Sequence, residues 1–258
     1  MRQRAPWYRD AASIVAVLAL VFSFGTTVVS FQKSAQDEIH DSEIELRTLI
    51  SRLSALPLEA LRSSREFNDD ASALSVLNSL VTQEQILVAK QAADVIALLP
   101  DDRVSPAQRL LVGNILVGNQ IDETGLPLLA EAIETARDSN DYISALRSYG
   151  FRLFQVGKVD FGREQYRLAL RAFERFPSDS PIFVRYTHLQ TRLGWAQAEL
   201  SVSNCVEARE QADEARKLVT GFGSNDPQIR RLDSVELQLE SCAPGASPVL
   251  QSPSPVAP

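Results

Sequence analysis

The sequence predicts an all-α protein: one N-terminal membrane-spanning helix, a helical stalk, then a solenoid of antiparallel helix pairs. Three observations carry that expectation. Residues 11–31 are apolar and uncharged behind a basic N-terminus, apolar residues after 34 recur at three- and four-residue steps, and part of the C-terminal half repeats itself.

The apolar run reads AASIVAVLALVFSFGTTVVSF. As a helix it would measure about 31 Å, enough to cross a bilayer core. Val28 and Ser30 are small enough to precede a signal-peptidase cut before Phe31. A signal peptide's apolar region is shorter, roughly 7–15 residues, so length favours an uncleaved anchor. Arg2, Arg4 and Arg9 precede the run, with Trp7 and Tyr8 placed as interfacial aromatics. Lys33 alone follows it, before Asp37, Glu38, Asp41, Glu43 and Glu45. The positive-inside rule then leaves residues 1–10 in the cytoplasm and sends the body to the periplasmic or extracytoplasmic side.

The chain carries −7 overall; its first 33 residues hold four basic groups and one acid, so residues 34–258 carry −10. Such a body repels phosphate, which excludes nucleic acid as a partner. It also repels anionic lipid, leaving the single span to make the membrane contact.

Residues 34–64 place Ile39, Leu46, Leu49, Leu53, Leu56 and Ala60 in a heptad-like seam. The seam suits a parallel coiled coil continuing the membrane helix, or equally an amphipathic helix folded back on its own domain. Pro57 should kink or divide it. Asn68, Asp69 and Asp70 supply caps for a helix over 71–99, expected to pack on the repeats, with Leu74, Leu77, Val81, Val88, Ala92, Val95 and Leu99 at helical spacing. Pro100-Asp101-Asp102 stops it, and Ser105-Pro106 opens the next helix as N-cap and N1.

Within 104–242 a shift of 37 superposes Gly113 on Gly150, Leu116 on Leu153, Gly125 on Gly162, Leu129 on Tyr166 and Ala132 on Ala169. A third copy follows at 44 to 46, with Leu193-Gly194 in its first helix and Ala208, Ala212 and Ala215 in its second. The middle copy, Leu146-x-x-Tyr149-Gly150-x-x-Leu153 then Gly157, Gly162, Tyr166 and Ala169, resembles the tetratricopeptide repeat. It departs from that family's pattern at Leu146, where tryptophan is common, at Gly162, where alanine is usual, and at the late Pro177. The resemblance covers residues 104–220 and implies a groove lined by the first helix of each pair. Carried over place by place, the groove would hold Asn114, then Arg147, Phe151 and Phe154, then His188, Thr191 and Trp195. For each aromatic taken singly, burial in the core is the commoner outcome. Asp226-Pro227 opens a capping helix, and residues 243–258 are Pro/Ser/Ala-rich with too little apolar surface to order themselves.

Catalytic chemistry finds no foothold here. His40 and His188 are the only histidines, without a ligand set or triad around either. Gly113 and Gly118 have phosphate-loop spacing, but no Lys-Ser/Thr follows. Cys205 and Cys242 should lie at the start of one helix and just past the end of its antiparallel successor, so they are expected to form a disulfide outside the cytosol. The expected function is a membrane-anchored, non-catalytic scaffold or assembly factor that binds a protein segment and uses no cofactor or metal. The alternative is a homo-oligomer built through stalk and repeats.

Overall fold

The computed structural model describes residues 11–66, 71–178, 180–223 and 226–242, with the side chains of 11–35 and 66 outside that description. Every regular element among them is helical. The chain forms two compact units, Met1–Arg103 and Val104–Pro258.

The first unit holds α1 (Ala11–Glu66) and α2 (Ala71–Leu98), closed by a 3-10 turn at Asp101–Arg103. Arg52 donates to Glu84 at 2.8 Å and Arg103 to Glu43 at 3.2 Å, so the partners' numbers run in opposite directions and the helices are antiparallel. The seam of α1 faces inward: Leu46, Leu53 and Leu56 are buried, and Ile39, Leu49 and Ala60 half-buried. Ala89, Ala92 and Ala93 on α2 are buried too, and side chains this small let two helices approach closely. α2 therefore packs on the face of α1 that carries the heptad-like seam. Pro57 does not divide α1, contrary to expectation. Its ring lies on the exposed side of a helix whose neighbouring turns are held by buried Leu53 and Leu56.

The apolar run 11–31 is helical and continuous with the stalk in α1, but its side chains lie outside the described residues. Among the described residues no helix is long and apolar enough to cross a membrane. Residues 1–10 and 243–258, assigned above to a cytoplasmic end and a disordered tail, also lie outside the described residues.

The second unit is a series of helix hairpins: α3 (Pro106–Gly118) with α4 (Asp122–Thr135), α5 (Ser139–Gln155) with α6 (Val159–Leu170), then one turn, α7 (Ala172–Arg175), then α8 (Pro181–Ser201) with α9 (Cys205–Leu218), and finally α10 (Pro227–Ser241). Ser105 caps α3 in a reciprocal box with Gln108, and Pro106 stands at N1. Asp226 caps α10 with a single bond, accepting from the Gln228 backbone N–H at 2.8 Å, and Pro227 follows it at the first position of the helix.

The repeat is real at atomic level. An ideal Cβ added to Gly113 would meet the Gly125 carbonyl at 3.2 Å, and one added to Gly150 would meet the Gly162 carbonyl at 3.2 Å. One added to Gly125 would strike Val117 at 2.7 Å, and one at Gly162 would strike Phe154 at 2.5 Å. Each pair of glycines is a backbone-to-backbone crossing that no side chain fits. The turns match as well: Gln120, Gly157 and Ser203 all have positive φ, at 63°, 79° and 60°. Next to them, Ile121 donates to the Leu116 carbonyl, Lys158 to Leu153 and Asn204 to Glu199, which is the helix-closing bond made at a left-handed C-terminal residue. The third copy is thus shifted by 46, and the Gly150–Gly162 crossing becomes Ala196 and Ala208, both fully buried. α7 and a longer α8 take up the additional residues.

α10 closes the stack with Leu232, Val235 and Leu239 against Leu189, Leu193, Ala212 and Ala215. Leu237, on the same helix, is 68% exposed. The Cys205–Cys242 disulfide is present, with its Cα atoms 5.8 Å apart. It joins the first residue of α9 to the residue just past α10, as antiparallel packing of the two helices requires.

Candidate functional site

The first helices of the three hairpins line one side of an open cleft of about 540 Å³. α3 contributes Asn114, α5 contributes Arg147 and Phe151, and α8 contributes Gln190, Gly194 and Gln197. Tyr166 forms the floor from α6, and Arg231 reaches in from the capping helix. Phe151 is 36% exposed, a large apolar face open to the cleft.

The polar side chains are held by specific partners. Arg152 donates both Nε and Nη2 to Asp122, at 2.5 and 2.6 Å, a bidentate ion pair that neutralises it. Arg147 donates to the Gln190 side-chain oxygen at 3.1 Å. Arg231 donates to the Gln197 oxygen from Nη2 at 2.5 Å and from Nε at 3.2 Å. Tyr166 donates its hydroxyl to the Gly194 carbonyl at 3.2 Å. Burial, and then the charge of Arg231, push the Arg147 pKa below its ordinary value; burial does the same to Arg231. Burial raises the Tyr166 pKa, against the pull of Arg147 and Arg231, so the phenol stays neutral.

Of the groove residues expected from sequence, Asn114, Arg147 and Phe151 line the cleft. Phe154, Thr191 and Trp195 do not: they are 1%, 0% and 5% exposed. Trp195 stacks on Tyr166 at 5.8 Å and donates to the buried Glu199 carboxylate at 2.9 Å. Glu199 also takes Arg163 at 2.8 and 3.0 Å and Asn204 at 2.9 Å. Thr191 turns its hydroxyl onto the Thr187 carbonyl of its own helix, at 2.8 Å. His188 is half-buried beside Phe173, its ring Nε2 without a hydrogen-bond partner and its pKa lowered mainly by burial.

Thr191 and Trp195 are misplaced for one reason, whereas Phe154 is buried against the Gly162 crossing of its own copy. Carrying Arg147 and Phe151 from the second copy by 44, on the strength of Gly194, selects residues 191 and 195. The true shift of 46 equates Asn114 and Phe151 with Gln197. Two residues turn a helix by about 200°, so an error of two exchanges its lining face for its buried one. Ala208, Ala212 and Ala215 stand 46 beyond Gly162, Tyr166 and Ala169, and were the signal that could have corrected the register. Arg231 was out of reach, because no repeat arithmetic places a capping helix.

Among the described residues no group of histidine, cysteine and carboxylate side chains could hold a metal ion. Comparison with family models, curated proteins and solved structures gives no match, so the reading of the cleft rests on this chain's own residues.

Proposed function

We propose that this chain is a membrane-anchored, non-catalytic scaffold that holds a segment of a partner protein in the cleft between its helix pairs. The observation that carries the reading is the cleft itself: it crosses all three hairpins and combines an open aromatic face at Phe151 with amide and guanidinium donors. Aromatic and arginine side chains are what an interface uses to anchor a chain. The length of the apolar run 11–31 and its continuity with the stalk support the anchor. The 37- and 46-residue periods support a tetratricopeptide-like solenoid.

A photo-crosslinking phenylalanine analogue at position 151, in the full chain in its native membrane, tests the proposal. The expected product is an adduct to one distinct protein, absent when the analogue stands at the exposed Phe161 outside the cleft. Equal adducts at both positions, or none at 151, would reject it. Self-association has one observation in its favour. Val76, Leu80 and Leu87 are exposed at steps of four and seven along α2, a single helical stripe. An adduct of the chain with its own copy would select that alternative.

A further inference from the structure

We propose that the partner enters the cleft with a carboxylate, an acidic side chain or a chain end, which seats between Arg147 and Arg231. The inference rests on the binding reading above and names the chemistry of what is bound.

Three guanidinium groups reach the cleft, and they are not equivalent. Arg152 is already satisfied by the bidentate contact to Asp122. Arg147 and Arg231 have no carboxylate among the described residues. Each is steadied by a neutral amide oxygen, Gln190 for one and Gln197 for the other. A guanidinium carries five N–H donors, and these contacts use one or two of them, leaving the rest for a ligand. Amide oxygens orient the two forks without cancelling their charge.

The two cations belong to one site. Both line the same cleft around Tyr166, each tethered to a glutamine of α8, and the charge of Arg231 accordingly disfavours that of Arg147. Gly194 stands beside them on α8: a Cβ there would lie 3.5 Å from the Tyr166 ring and 3.9 Å from Nη2 of Arg231, ordinary contact distances that place Arg231 next to the Tyr166 floor. Two like charges, each half-buried and unpaired, form an arrangement that a single anion relieves. A carboxylate matches the fork geometry of arginine and makes short, charge-assisted bonds to it.

The rest of the cleft says that this anion comes attached to a polypeptide. An isolated small anion would need an enclosing pocket, whereas this site is open and continues past Phe151 to Asn114 on α3. The aromatic face can take an apolar side chain and the amide can take main-chain groups, next to the cation pair. The body around the site is acidic, so selection of an acidic segment falls to this local pair and not to the net charge.

The test is a selection from a random twelve-residue display library on the full chain in detergent. It is repeated on the full-length Arg147→Gln/Arg231→Gln variant. The expected result is enrichment of peptides bearing Asp, Glu or a free C-terminus. Affinity for a selected peptide should fall at least tenfold with either single substitution, and also when its acid is replaced by the amide. Lysine at either position should restore part of the loss. Enriched peptides without an acid, or acidic peptides held equally by the double variant, would overturn the carboxylate site and leave the binding cleft standing. No enrichment over bare resin would overturn both.

Discussion

A single methyl group at Gly162 decides whether α5 and α6 can touch. Glycine inside a helix ordinarily costs about 0.5–1 kcal/mol against alanine. Here the added carbon would sit 2.5 Å from the Phe154 ring and 2.9 Å from the Gly150 carbonyl, and backbone cannot give way as a flexible side chain can. Gly162→Ala is therefore expected to destabilise the fold by about 1–3 kcal/mol in urea titration. Gly118→Ala, with nothing within 4 Å of its new carbon, should leave stability unchanged or raise it by up to about 1 kcal/mol. Equal effects at the two positions would mean the glycine crossing is not tight. Trp195→Ala should cost about 3–5 kcal/mol, the range for deleting a core aromatic. It also removes one donor from the buried Glu199 carboxylate. Retained stability with lost partner binding would instead return Trp195 to the cleft.

At the scale of an element, α10 is the helix on which the cleft depends without belonging to a hairpin. It supplies Arg231, yet its apolar face is only Leu232, Val235 and Leu239. The disulfide ties its end to the start of α9 across a sequence separation of 37. Removing a crosslink over a loop of this length lowers stability by about 2–4 kcal/mol. Reduction, or Cys205→Ser/Cys242→Ser, should produce that loss in thermal melts, with faster amide exchange confined first to α10. Unchanged exchange in α10 would show that its packing suffices alone. Alkylation of non-reduced protein from its native membrane should find no free thiol. Two free thiols would instead count against both the bridge in the cell and an oxidising location for the domain.

For the whole molecule the proposed anchor raises the question of which side of a membrane the cleft would face. The basic residues Arg2, Arg4 and Arg9 before the apolar run, against Lys33 and acids after it, predict a cytoplasmic N-terminus and an external body. Protease added to intact cells or spheroplasts should digest residues beyond 33 and spare the stub before them. A body protected until the membrane is opened would reverse the orientation. A mature chain beginning near Phe31 would replace the anchor with a cleaved leader.

The amino-acid sequence by itself determined the longer helices, their order, the caps of α3 and α10 and the disulfide, while the caps expected at Asn68, Asp69 and Asp70 lie outside the described residues. Those follow from local rules: Ser105-Pro106 and Asp226-Pro227 start helices by satisfying free amides, and glycines at 113, 125, 150 and 162 mark close crossings. Consecutive helices joined by short turns must run antiparallel, which is enough to bring Cys205 to Cys242. The register of the third hairpin was harder to read, because Gly194 repeats the residue type of Gly150 without its place. There the glycine lines the cleft instead of admitting a neighbouring backbone. What covers the seam of α1 was left open as well, since a heptad pattern fits a partner from another chain as well as one from α2. The cleft was legible only as far as it is built from the first two copies, at Asn114, Arg147 and Phe151. Gln197 was within reach of the 46-residue shift, but Gln190 and Arg231 join the cleft through packing between elements far apart in sequence, and such contacts leave no periodic trace. Whether a guanidinium meets a carboxylate, as Arg152 does, or an amide, as Arg147 and Arg231 do, is decided only when the helices stack.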